Sequence, residues 1–143
     1  MITTTLNKIR KHTPCEDGWI DLLKHLGKTK ADDEVLKFST IADSNGIDDA
    51  VWCLRSICPE HDKEVRLFAA DCAEAVLHVF ESERPDDDRP RKAIEAARAY
   101  ANGEISEGEL AAAWAAAWAA GGAAWDAGDA RDAQIKMLTE RFS

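Results

Sequence analysis

Apolar positions recur along this chain at three- and four-residue spacing and are interrupted by proline, glycine and aspartate clusters. That pattern predicts a succession of short helices. The longest stripe, Val65, Phe68, Ala69, Cys72, Val76, Leu77 and Phe80, places a buried helix face between Asp62 and about Glu83. Lys63, Glu64, Glu74 and Glu81 fall outside the stripe, and Pro85 follows it. Upstream, Leu6 and Ile9 mark a short helix closed by Pro14. Trp19, Leu22, Leu23 and Leu26 mark a second, with Asp17 as N-cap and Gly27 as its stop. A polar linker, Thr29 to Asp33, leads to a helix holding Leu36 and Ile41 that ends at Ser44-Asn45-Gly46. Asp48 then caps a helix with Val51, Trp52, Leu54 and Ile57 inward, closed by Pro59. Downstream, Asp88-Arg89-Pro90 opens a helix carrying Ile94, Ala97 and Tyr100, which Gly103 ends.

The C-terminal third differs in character. Ser106 and Glu109 form a capping box ahead of an alanine-rich stretch in which Trp114, Trp118 and Trp125 share one helical face. Gly121-Gly122 lies within it, and paired glycines weaken a helix enough to predict a kink or break. Ile135, Leu138 and Phe142 supply apolar anchors at the end. No segment alternates as a strand would. The reading is an all-α fold, a single compact domain of six or seven helices spanning 1–143, with an Ala/Trp-rich C-terminal helix broken near Gly121-Gly122. Within it, 1–30 form basic N-terminal helices, 31–105 an acidic helical core and 106–143 the Ala/Trp-rich helices.

Composition narrows the function classes. With 45% hydrophobic and 31% charged residues in 143, the chain is globular in type. It has no apolar run long enough to span a bilayer and no apolar core of a secretory signal at Met1-Ile2-Thr3-Thr4-Thr5. Four cysteines in that setting point to reduced thiols in a cytoplasmic protein. The net charge of −9 is unevenly placed, +3 over residues 1–30 and −12 over 31–143. Phosphate contacts need a basic surface, so the charge argues against direct nucleic-acid binding and for a protein partner with a basic surface.

Little points to catalysis or cofactors. His12-x2-Cys15 and Cys58-x2-His61 have ligand types and spacing that zinc tolerates, with Cys53 and Cys72 in addition. Cys72 and Cys53 fall on apolar helix faces, where a free thiol acts as a small hydrophobe, so no metal site is assigned. The chain lacks a nucleophile elbow, a phosphate-binding loop and a dinucleotide fingerprint. The expectation is a non-enzyme with no cofactor. The Asp86-Asp87-Asp88-Arg89-Pro90-Arg91 segment reads as structural, with Arg89 and Arg91 bridging back to Asp71 or Glu74 and pinning two helices. The tryptophan stripe fills the core or forms an exposed dock, because tryptophan dominates binding hot spots. Its alanines would let a partner helix, or a second copy in a homodimer, approach closely.

Three stretches carry a family resemblance: Val65-Arg66-Leu67-Phe68-Ala69-Ala70-Asp71-Cys72-Ala73-Glu74, then Asp87 to Arg98, then Asn102-Gly103-Glu104-Ile105. They resemble the immunity protein family of bacterial polymorphic-toxin systems, with related small helical proteins in phages and prophages. The segments Ala31-Asp32-Asp33-Glu34 and Ser44 to Ala50 look like phage-type members. The tail departs from the immunity type, since tryptophans stand where alanine and histidine runs are usual and no histidine follows His78. The resemblance implies an inhibitor that binds and neutralises a toxin. The alternative is an anti-defence protein of the anti-CRISPR type, blocking the nucleic-acid channel of a host effector. Candidate contact residues are Asp32, Asp33, Glu34, Asp48 and Asp49, with Trp114, Trp118 and Trp125 as a hydrophobic dock. Asp71, Asp87, Asp88, Arg89 and Arg91 form the structural cluster.

Overall fold

The computed structural model describes residues 1–119 and 128–142, with the backbone alone at 114–119 and 128–132. Among the described residues there are eight α-helices and no strands. The count exceeds the six or seven expected because of the C-terminal third; the four helices ahead of Asp62 match in number the four read from the sequence. Two helices occupy the C-terminal third where one broken helix was expected, and the break site at Gly121-Gly122 lies outside the described residues. No helix among the described residues is long and apolar enough to cross a membrane. The chain divides into two compact units, residues 1–61 with 135–143, and residues 62–134.

In the first unit, α1 (Leu6–Arg10) starts at Thr5, whose hydroxyl accepts from the Lys8 amide at 3.2 Å. The helix buries Leu6 and Ile9. Helix α2 (Glu16–Leu26) starts one residue before Asp17, with Cys15 at its N-cap, and Asp17 sits instead in the first turn. It ends where expected. Gly27 adopts φ 65°, and the Lys28 and Gly27 amides donate to the Leu23 and Lys24 carbonyls, closing the helix with a left-handed turn. Leu36 is not helical; it forms an isolated antiparallel bridge with Thr4, each amide donating to the other's carbonyl at 2.9 Å. Helix α3 (Phe38–Asn45) follows, then α4 (Ile47–Cys53) with Gly46 between them. A 3-10 turn, Leu54–Ile57, completes this segment.

The inward face of α4 is Ile47, Ala50 and Cys53, continued by Leu54 and Ile57; Val51 is exposed rather than buried. One polar pair lies in this core. The Ser56 hydroxyl donates to the Cys53 carbonyl at 2.7 Å, so its remaining partner, the Thr4 hydroxyl at 2.6 Å, is the donor to it. The last turns of α8 (Gly128–Phe142) belong to this unit and bury Leu138 and Phe142 completely. The Phe142 ring meets Phe38 edge-on at 5.7 Å.

In the second unit, α5 (Asp62–Glu83) spans the expected range, but the buried small residues are Ala70 and Ala73; Ala69 is exposed. Helix α6 (Arg89–Ala101) carries Pro90 at its start, and Gly103 at φ 75° closes it. Helix α7 is Glu107–Ala119. The Glu109 amide donates to the Ser106 hydroxyl at 3.2 Å, one arm of the expected capping box. Ala70, Ala73 and Leu77 of α5 pack with Ile94 and Ala97 of α6, and Leu110 of α7 covers the cluster. Alanines at this seam let the two backbones approach closely, which brings the flanking charged side chains within reach of one another.

Candidate functional site

The acidic positions singled out in the sequence have unlike surroundings. Lys28, released just after the α2 stop, places its ammonium 2.5 Å from both Asp32 and Glu34. The Asp32 hydrogen bond raises the Lys28 pKa, with Glu34 adding to it, and the same ammonium lowers that of Asp32. Asp32 also accepts from the Glu34 amide, which folds the linker into a compact turn. Two of its three carboxylates are therefore already partnered. Asp33 is exposed. Asp48 and Asp49 lie in the first turn of α4, where carboxylates suit the helix dipole. Asp48 is exposed and does not serve as the N-cap, which is Gly46.

Asp49 faces differently, because it borders a cavity of about 270 Å³ between α2, α3 and α4. Its carboxylate accepts from the Asn45 side-chain amide at 3.0 Å, and that amide also donates to the Gly18 carbonyl at 2.8 Å. Trp19 and Trp52 line the same space, together with Leu22 and the thiols of Cys15 and Cys53. Cys53 is buried, and desolvation pushes its thiol up to about 12, with Asp49 adding to the shift and Arg55 opposing it. Cys15 is exposed.

The α5–α6 seam holds a second charged array. Arg98 donates to Asp71 at 2.8 Å and to Glu74, and Arg91 makes a two-pronged contact to Glu81 at 2.6 and 2.9 Å. The arginines are seven residues apart on α6, and Glu74 and Glu81 are seven apart on α5, so the rungs repeat every two helical turns. The Arg66 guanidinium stands 4.7 Å from the Tyr100 ring centroid, further along the same hairpin. Arg89 does not bridge to Asp71 or Glu74. It turns onto Asp87, two residues away, and holds that carboxyl down to about 2. Asp88 pairs with Lys92 along α6. The cause is helical phase: Arg89 lies at the mouth of the α5–α6 loop, beyond the reach of α5's middle turns. The clamp toward Asp71 is Arg98.

The side chains of Trp114, Trp118 and Trp125 lie outside the described residues, as does any stripe they form. No cluster of three or more histidine, cysteine, aspartate or glutamate side chains suited to a metal occurs among the described residues. Asn45 and Lys28 were not singled out in the sequence. Trp19 and Trp52 were read as inward-facing, which is the one signal that pointed toward the cavity.

Charge follows the same division as the fold. Residues 62–134 hold sixteen acidic and eight basic side chains, a net of −8, and the first unit has a net of −1. The acidic unit nearly coincides with a recognisable segment, because the family model of the Imm-5 like putative immunity protein matches residues 56–135. The chain belongs to that family. This agrees with the resemblance carried by residues 65–105, and family membership implies binding to a protein target. Comparison of this Imm-5 like protein with the curated proteins and with the solved structures finds no significant match.

Proposed function

We propose that this chain is a non-enzymatic inhibitor that binds and neutralises a toxin bearing a basic surface, acting in the cytoplasm of the cell that makes it. The observation that carries the reading is the coincidence of the family segment, 56–135, with the unit that holds a net of −8. A surface of that charge attracts and orients a basic partner before contact. Exposed carboxylates at Asp33 and Asp48, at Glu83 where α5 ends and at Asp86 in the loop joining α5 to α6, are the proposed points of first approach. Asp32 and Glu34 contribute by exchanging Lys28 for a basic group of the target. The Trp114, Trp118 and Trp125 face is the competing, hydrophobic dock.

Co-expression with a toxin drawn from the neighbourhood of this gene tests the function, and restored growth is the expected outcome. Association rates at two ionic strengths test the acidic surface. The rate should fall at least about tenfold as salt rises and the screening length contracts towards ~3 Å at 1 M. A flat response, with sensitivity to Trp118→Ala, would transfer the contact to the tryptophan face. A second reading draws support from the phage-type likeness of Ala31 to Glu34 and Ser44 to Ala50. In it, the same carboxylates occupy the nucleic-acid channel of a host defence effector. Displacement of nucleic acid from such an effector, with no effect on the neighbouring toxin, would favour it.

A further inference from the structure

The cavity beside Asp49 has the chemistry of a cation receptor. Its polar corner presents the Asp49 carboxylate. The Asp49 carboxylate receives one amide hydrogen from Asn45, and the Asn45 Oδ1 is buried with no hydrogen-bond partner. The Asn45 orientation is fixed, because its NH2 donates to both the Gly18 carbonyl and Asp49, and the reversed amide would set oxygen against oxygen. Gly18 keeps the corner open, since a Cβ there would lie 3.0 Å from both Asp49 Oδ2 and Cys15 Sγ. The walls are aromatic and aliphatic, from Trp19, Trp52 and Leu22. Trp52 already accepts a guanidinium, that of Arg55, at 4.1 Å from its ring centroid. At about 270 Å³ the space is below the usual ~300–1,000 Å³ of small-molecule sites and suits one side chain.

We propose that this pocket receives an arginine side chain of the target protein, its guanidinium at the Asp49 carboxylate and its methylene stem between the tryptophans. Arginine matches the lining better than lysine. Its planar group stacks on indole and offers paired donors to a carboxylate. The inference rests on the reading of the chain as an inhibitor of a basic target, and it assigns one contact within that reading.

The probe is n-butylguanidinium, with n-butanol as the uncharged control of similar length. In a titration followed by two-dimensional NMR, butylguanidinium should shift the Trp19 and Trp52 indole signals and the Asn45 side-chain amide saturably. Butanol should bind at least about tenfold more weakly, and Asp49→Asn should remove the preference, with its circular-dichroism melt checked against the parent. On the unaltered protein, butylguanidinium should slow alkylation of the exposed Cys15 thiol, mapped by peptide mass spectrometry. Equal affinity for butanol, no saturable shift, or an unchanged Cys15 rate would each overturn the proposal. If butylguanidinium binds but the neighbouring toxin is not neutralised, the site stands and the inhibitor reading falls. If the toxin is neutralised equally by the Asp49→Asn variant, the inhibitor reading stands and the site falls.

Discussion

Replacing Arg98 with alanine should destabilise the α5–α6 hairpin far more than replacing Arg89. Arg98 joins two elements, and its side chain is 31% exposed against 24% for Asp71. A charge-assisted bond at that depth is worth about 1 kcal/mol after solvent screening. The second bond, to Glu74, adds only ~0.3 kcal/mol, because that carboxylate is 55% exposed. Loss of the arginine stem from the seam brings the total to about 1–2 kcal/mol. For a chain of this length that corresponds to a fall in Tm of roughly 3–8 °C. Arg89 pairs within its own turn, so Arg89→Ala breaks no tie between helices and should lower the melting temperature far less than Arg98→Ala does. Urea unfolding followed by circular dichroism at 222 nm measures both variants. A double-mutant cycle with Asp71→Ala isolates the pair, for which the expected coupling is about 0.5–1 kcal/mol. Equal losses for Arg89→Ala and Arg98→Ala, or zero coupling to Asp71, would refute the assignment of Arg98 as the clamp.

Phe142→Ala removes a side chain of 0% exposure packed edge-on against Phe38, and urea unfolding should show a loss of about 3–5 kcal/mol. Thr4→Val deletes the donor to the buried Ser56 hydroxyl and should cost about 1–2 kcal/mol, whereas Thr4→Ser, which keeps it, should cost less by the same assay. Asp87 has its pKa lowered from 3.8 to about 2, chiefly by the Arg89 hydrogen bond. Its stabilising contribution is therefore complete above about pH 4 and is lost as pH falls through about 2. An NMR titration of that carboxyl should find its midpoint near 2, and a midpoint at the ordinary 3.8 would contradict the pairing.

Local rules made much of the fold legible. The span of α5 follows from apolar spacing and the proline beyond it, and the stops at Gly27 and Gly103 follow from the left-handed turn that glycine alone adopts freely. The acidic body, the absence of strand alternation and the family likeness over residues 65–105 were equally open to reading, because each is a property of composition or of near neighbours. Expectations failed where they depended on more than neighbours along the chain. Leu36 looked helical by spacing, yet it pairs with Thr4, thirty-two residues away. Ala69 and Ala70 are indistinguishable as residues, and only the rotation of α5 against α6 puts Ala70 inside.

The candidate site shows the same boundary. The sequence by itself determined which side chains were on offer: carboxylates at 32–34 and 48–49, indoles at 19 and 52, and arginines along α6. Tertiary structure decided which of them meet. It spent two of the linker carboxylates on Lys28, and it set Asn45, Asp49 and both indoles around one cavity. It also chose Arg98 over Arg89 as the partner of Asp71. The reason is geometric. A helix fixes the spacing of its own side chains to a fraction of an ångström, but a shift of one residue in phase turns a face by about 100°, and only packing between helices sets that phase.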